Sequence, residues 1–267
     1  MPLTLAHPAA ILPLHQLLSR RAVLSALVVG SMAPDFAYVV PGVPFDAHTP
    51  LGLLWFGLPA GWLGYWLWHR LLAGPLLELV PPGLAWRLRP FLGPEHRLPE
   101  RSAVAVTGSL LAGAATHLVW DAFTHVHGAA VRAWPGLQAE AVRPGGRSVP
   151  VFKVLQHGST VVGLAVLAVW LWRVLRDAPG ASAGADSEVG LSATRRWLQV
   201  AALVGIPAMV GLVRASELPA GTSLEVQVGA AVFAGLPVGA GVVLVWAIGW
   251  WRGSGRSGMT SGGSRLT

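Results

Sequence analysis

Residues 102–125 read SAVAVTGSLLAGAATHLVWDAFTH. From Ser102 to Trp120 no Asp, Glu, Lys or Arg occurs, and about 20 mostly apolar residues suffice to cross a bilayer as an α-helix. The run then continues through Asp121 to His125. An apolar span with ionisable groups at one end is the pattern of a membrane helix that carries a site. Five further stretches resemble it: Ala22 to Val40, interrupted by Pro34-Asp35; the uncharged Thr49 to Trp68; Gly158 to Trp172, flanked by Arg173 and Arg176; Trp197 to Val213; and Val226 to Trp251, long enough to tilt. Each is continuous, whereas β-barrel strands would alternate in short segments. A backbone in lipid must satisfy its own hydrogen bonds, so the sequence predicts an all-α, polytopic membrane helical bundle of about six spans.

Composition agrees. Of 267 residues 53% are apolar and 12% charged, and the mean hydropathy is +0.57. An average soluble domain carries roughly 25% charged residues, so an ordinary soluble protein is excluded. Disorder is excluded too, because disordered chains are poor in apolar residues. The net charge of +7 and pI near 11.3 fit basic cytoplasmic loops and do not point to nucleic acid. The Ala/Gly/Arg-rich, nearly Lys-free composition suggests a bacterial source. With no cysteine, disulfides, thiolate nucleophiles and Cys-bound zinc are out, and any metal falls to His, Asp and Glu.

If the N-terminus lies inside, only Arg132, Arg143, Arg147, Lys153 and Arg214 of the 19 basic residues fall outside. That bias places both termini in the cytoplasm of a bacterial inner membrane. Ser19-Arg20-Arg21-Ala22-Val23-Leu24 has the look of a twin-arginine export signal, but two positive-inside arginines before a first span explain it as well. Leu71 to Arg101 is expected to lie along the cytoplasmic interface as short amphipathic pieces. The division expected is a His/Asp-rich membrane domain (1–176), a flexible linker of small polar residues (177–194), a two-helix membrane segment (195–251) and a disordered Gly/Ser/Arg tail (252–267). All nine histidines precede residue 177.

Asp35, in GSMAPDF, is an ionisable residue inside an apolar segment. Such a residue is costly and reads as a site, or else as the cap of a helix broken by Pro34. His117, Asp121 and His125 are spaced four and four, which places them on one stripe of a helix. His117 and His125 would then stand about 12 Å apart along the axis, too far for one ion. His117 with Asp121 suits one metal, and Asp121 or His125 reaches a second. A polar stripe bonded to a neighbouring helix is the structural alternative. His48 (FDAHTP) and His157 (LQHGST) sit at loop–helix junctions on the same outer face, each readable as ligand or as solvated histidine. His69 and His127 read as interface histidines, and His96 falls on the cytoplasmic side. His7 and His15 fall on the inner side by this topology. They ligate only if the N-terminal segment re-enters the membrane or packs into the bundle as a helix.

The order LAHPAA, GSMAPDF, His48-Thr49, HLVWDAFTH and LQHGST resembles the bacterial domain-of-unknown-function family 4184, most specifically through MPLTLAHPAAILPL and GSMAPDF, over about residues 1–175. That family is in turn similar to membrane-bound metal-dependent hydrolases and, distantly, to zinc-dependent phospholipases C. The resemblance implies a ligand set with His7 or His15 first, Asp35 second, His48 third and His117 with Asp121 last, His125 and His157 being further candidates. The His-x3-Glu pair of the soluble phospholipases has no counterpart after His157, where Val161 stands.

The expectation is a metal-dependent hydrolase with a divalent ion, zinc by this resemblance. Asp35 and Asp121 would bridge or orient, and a lipid-borne or small phosphoester would be the substrate, with membrane lipid as the surrounding partner. No Gly-rich phosphate loop or G-x-S-x-G elbow supports a nucleotide or serine-hydrolase reading. The alternative is a non-enzymatic membrane protein, such as a transporter subunit, a proton or metal relay, or a scaffold.

Overall fold

The computed structural model describes residues 4–18, 22–40, 45–92, 102–146, 148–178 and 191–260. Arg20, Arg21, His96 and most of the expected linker lie outside them. The chain begins with a 3₁₀ helix, Thr4–Ala10, followed by α1 (Ile11–Leu18) and α2 (Leu24–Met32). Pro34 has no amide hydrogen to continue α2, and the chain tightens there into a 3₁₀ turn, Ala33–Tyr38. A second 3₁₀ turn, Phe45–His48, precedes a segmented helical run. That run comprises α3 (Pro50–Gly52, capped by Thr49 Oγ1), a π-turn at Leu53–Gly57, α4 (Leu58–Leu67), a π-turn at Trp68–Leu72 and α5 (Ala73–Glu78). Next come α6 (Pro82–Leu92) and α7 (Ala103–Thr124), the latter capped by the Ser102 hydroxyl, which accepts from the Ala105 amide at 3.2 Å. The short helices α8 (Ala129–Ala133) and α9 (Pro135–Gln138) lead to two small antiparallel strands, β1 (Glu140–Val142) and β2 (Val149–Pro150). Three long helices finish the chain: α10 (Val151–Asp177), α11 (Ala193–Ser216) and α12 (Leu224–Thr260).

The protein is an all-α membrane bundle. Among the described residues four helical segments are long and apolar enough to cross a membrane: Ala103–Ala133, Val151–Asp177, Ala193–Ser216 and Leu224–Gly253. The other two expected spans are not uniform α-helices, although the second lies in an unbroken helical run, 50–78. Pro34 divides the first, and two π-turns segment the second. Large side chains such as Val161, Val162 and Trp172 on α10, and Leu198 and Leu212 on α11, are exposed, which lipid explains and water does not. At the far end α12 continues to Thr260, into the stretch expected as a disordered tail. Extending an existing helix avoids the cost of a new nucleus.

Contacts divide the chain into two compact units. One comprises Met1–Ala37, Gly42–Tyr65 and Glu100–Asp177; the other comprises Tyr38–Pro41, Trp66–Pro99 and Ala178–Thr267. The segment from Trp66 to Pro99, which the sequence division at residue 176 places with the histidine-rich part, therefore groups with the C-terminal helices. Its anchors there are polar: Trp250 Nε1 donates to Glu78 Oε2 at 2.7 Å, Trp251 Nε1 to the Leu71 carbonyl at 3.1 Å and Arg196 Nε to the Glu78 carbonyl at 3.3 Å. His69 is buried in this unit.

In the first unit α2 crosses α7 at very close range. A Cβ on Gly30 would collide with the Leu110 backbone, and one on Gly113 with the Leu27 carbonyl. Small residues at a crossing are how membrane helices gain van der Waals contact. Ile11, Ala26, Leu27, Ala33, Leu110 and Ala114 are buried around it. The Ser109 hydroxyl accepts from the Val23 amide at 3.0 Å. This crossing sets the 3₁₀ turn after α2 beside the last two turns of α7.

Candidate metal centre

Asp35, on that 3₁₀ turn, is buried and surrounded by donors. The Thr4 hydroxyl donates to its Oδ2 at 2.6 Å. Its Oδ1 lies 3.1 Å from His48 Nε2 and 3.5 Å from His117 Nε2. On α7, His117 Nε2 lies 3.2 Å from Asp121 Oδ2, the i, i+4 contact that helix geometry provides. The other oxygen, Asp121 Oδ1, faces His125 Nδ1 at 3.3 Å and His7 Nε2 at 3.7 Å. Groups from four stretches of the sequence thus meet: Thr4 with His7, Asp35, His48, and His117 to His125.

His7 enters because the N-terminal 3₁₀ helix packs against α2, α7 and α10. The close approach to α10 is at Gly163, where a Cβ would stand 3.1 Å from the Ala6 carbonyl oxygen. The His7 ring stacks on that of His117, with centroids 3.8 Å apart and planes inclined by 17°. Trp120 closes the other side of His7 at 5.4 Å, and its own indole donates to Ser159 Oγ at 3.0 Å. The 3₁₀ helix is not one of the spanning helices. Burial pushes the His7 imidazole down to about 4, and the adjacent His117 adds to the shift. Neutral imidazole is the form that ligates a metal.

The tautomer of His117 is set by its surroundings. Its Nδ1 lies 2.8 Å from the Ser31 carbonyl, which can only accept, so Nδ1 carries the hydrogen. In the neutral ring Nε2 is then a bare lone pair turned toward two carboxylates, an arrangement without an attractive partner. Accordingly His117 Nε2, Asp121 Oδ1 and His7 Nδ1 are buried without any hydrogen bond. Unpartnered buried polar atoms are costly. A cation among them would satisfy lone pairs that are buried without a hydrogen bond. Two triads have ligand atoms within 4.8 Å of one another, His7/His117/Asp121 and Asp35/His48/His117. Both need His117, which has one free nitrogen. An imidazole tied by Nδ1 to a backbone carbonyl is the usual outer-shell support of a metal ligand. Nitrogen and carboxylate donors without sulfur suit zinc and its first-row neighbours. The residues present fit a divalent ion.

Of the histidines and aspartates singled out by sequence, His7, Asp35, His48, His117, Asp121 and His125 come together. His15 does not join them, and His157 is exposed on α10 outside either triad. The N-terminal segment does pack into the bundle as a helix, but it brings only the first of its two histidines. His125 differs from expectation in another way: α7 ends at Thr124, and His125 is already extended, with φ −116° and ψ 144°. The site deepens inward. His7 and His117 are nearly inaccessible, whereas the side chains of His48 and His125 remain 21% and 27% exposed, which puts the opening on their side. Thr4, the Ser31 carbonyl and Trp120 were not foreseen. No local pattern announces an outer-shell hydroxyl, and a carbonyl contact across 86 residues leaves no trace in composition.

A family model described as domain of unknown function (DUF4184) matches residues 1–252. The chain belongs to this family. No curated protein and no solved structure matches the chain. The family match extends well past residue 175, so one family model covers the C-terminal helices together with the histidine-rich part.

Proposed function

We propose that this DUF4184 member is a metal-dependent hydrolase of the bacterial inner membrane, with its C-terminus cytoplasmic, acting on a lipid-borne or small phosphoester. The observation that carries the reading is the bare, buried Nε2 of His117 between Asp35 and Asp121, with His7 and His48 beside them. The ion would be zinc by its donor set. When bound, it would supply Lewis acidity and lower the pKa of a water towards about 7. The chain's own residues do the rest. Asp35 and Asp121 balance the cation's charge, the Ser31 carbonyl holds His117 in the ligating tautomer, and Trp120 and the stacked imidazoles keep water from the floor. The partly exposed His48 and His125 stand where a substrate would enter and where a proton could be taken up. The cytoplasmic placement of the C-terminus rests on the arginine bias alone; the N-terminal segment, expected on the same side, instead lies at the centre, where Thr4 meets Asp35.

Purified full-length protein in detergent should contain tightly bound zinc and hydrolyse a phosphodiester such as bis(p-nitrophenyl) phosphate or a phospholipid. His117→Ala should lose both properties, and Asp121→Asn should weaken both, because only His117 belongs to both triads. Wild-type protein without bound metal, after growth in zinc-replete medium, would remove the reading.

One observation favours a second reading. His48, Asp35, His117, Asp121 and His125 alternate base and acid at separations of 3.1, 3.5, 3.2 and 3.3 Å, and such chains serve as proton relays in membranes. Proton flux in proteoliposomes, without phosphodiester cleavage, would select that alternative.

A further inference from the structure

The N-terminal 3₁₀ helix touches both carboxylates of the centre. Side chains three residues apart on a 3₁₀ helix stand one above the other, and Thr4 and His7 have that spacing. Thr4 Oγ1 donates to Asp35 Oδ2 at 2.6 Å. One turn on, His7 stacks on His117 and places Nε2 3.7 Å from Asp121 Oδ1. With Oδ2 occupied, Asp35 presents Oδ1 to His48 and His117. An outer-shell hydroxyl that holds one carboxylate oxygen fixes the direction of the other. The helix is seated by α10. Ala6 is fully buried, and a Cβ on Gly163 would meet both the Ala6 carbonyl oxygen and the Trp120 ring at 3.1 Å.

We propose that this 3₁₀ helix is a two-point clasp: docked on α10 at Gly163, it uses Thr4 to orient Asp35 and His7 to complete the Asp121 side, so that both triads form only when the segment is seated. The inference rests on the metal-centre reading above and adds to it a named assembly element. Thr4 is a positioning residue, acting through Asp35, and Gly163 acts through the seat itself.

The test uses full-length protein in detergent with Co²⁺ as probe. Affinity is read by chelator competition, and ligand geometry by the visible absorption of bound cobalt. Thr4→Val keeps the shape and removes the donor. It should weaken Co²⁺ binding by about 10–100-fold and alter the spectrum, while Thr4→Ser restores both. Gly163→Val should weaken binding at least as much as Thr4→Val, because it displaces Thr4 and His7 together. Thr4→Val with wild-type affinity and spectrum, beside a His117→Ala variant that has lost binding, overturns the clasp and leaves the centre standing. Failure of Thr4→Ser to restore binding also overturns it, because packing rather than the hydroxyl would then be responsible. Wild-type protein that takes up no cobalt overturns the metal reading itself.

Discussion

α7 and α12 are both helices that hydropathy alone assigns to a membrane, yet they are built for different work. The apolar window in residues 103–133 has a mean hydropathy of 1.4 and is 33% buried within the protein, while that in 224–253 reaches 2.2 and is 6% buried. Large side chains of α12, among them Val226, Val228, Leu236 and Val245, face outward, as a helix set in lipid requires. By contrast α7 turns Ser109, Gly113, His117 and Asp121 inward or to the site. Hydropathy measures the cost of insertion. Ionisable groups that are buried in spite of that cost show where the chain does something other than span.

The largest effect expected from this contrast concerns bound metal. His117→Ala should bring zinc content to background, because both triads need its free nitrogen, and Asp121→Asn should lower it, because the amide carries no charge and only the Asp35 triad remains. His69→Ala, in the second unit, should leave zinc content at the wild-type level although His69 is also buried. Elemental analysis of the three purified variants decides the matter. Loss of zinc on removing His69 would mean that burial, not convergence, marks the ligands.

The next effect is on stability. Gly113→Val places a side chain into the Leu27 and Ser31 backbone, whereas Gly229 on α12 has nothing within 4 Å of a built Cβ. Overpacking costs about 1–3 kcal/mol, and rigid backbone at a helix crossing yields less than side chains do. Gly113→Val should therefore lower the thermal midpoint by several degrees in detergent and weaken zinc binding, because the crossing carries the Ser31 carbonyl to His117. Gly229→Ala should match or slightly exceed wild type, since alanine favours a helix by up to about 1 kcal/mol. Equal midpoints for the two variants would show that the crossing is looser than its geometry indicates.

The same contrast explains what could be read from the amino acids. Apolar length and missing charge reveal α7, α10, α11 and α12, because a lipid environment acts on each residue independently of its partners. Pro34 announces the break after α2, but hydropathy does not detect the π-turns at Leu53–Gly57 and Trp68–Leu72, which move backbone bonds and leave composition alone. At the site, His117 and Asp121 are legible from i, i+4 spacing, and Asp35 from its misplaced charge. His7 could be named but not placed, because its arrival depends on a glycine in a helix more than 150 residues away. Distance along the chain, more than chemistry, limits the reading.

The smallest effect separates two histidines that spacing and position make equally eligible. His125 Nδ1 lies 3.3 Å from Asp121 Oδ1 and also contacts Thr124 Oγ1 at 3.3 Å. It steadies a carboxylate that His117 and His7 share, although it belongs to neither triad. His157 is exposed on the first turns of α10. Removing an outer partner of a ligand costs about 10–100-fold in metal affinity, and the partial exposure of His125 puts its effect at the lower end, about tenfold. Chelator competition should therefore show a modest loss for His125→Ala and none for His157→Ala. If His125→Ala empties the centre as His117→Ala does, His125 is a ligand, and the residue just past the end of α7 joins His117 and Asp121 at the ion. If His157→Ala also weakens binding, α10 contributes to the centre directly, and its contact through Gly163 is only part of its role.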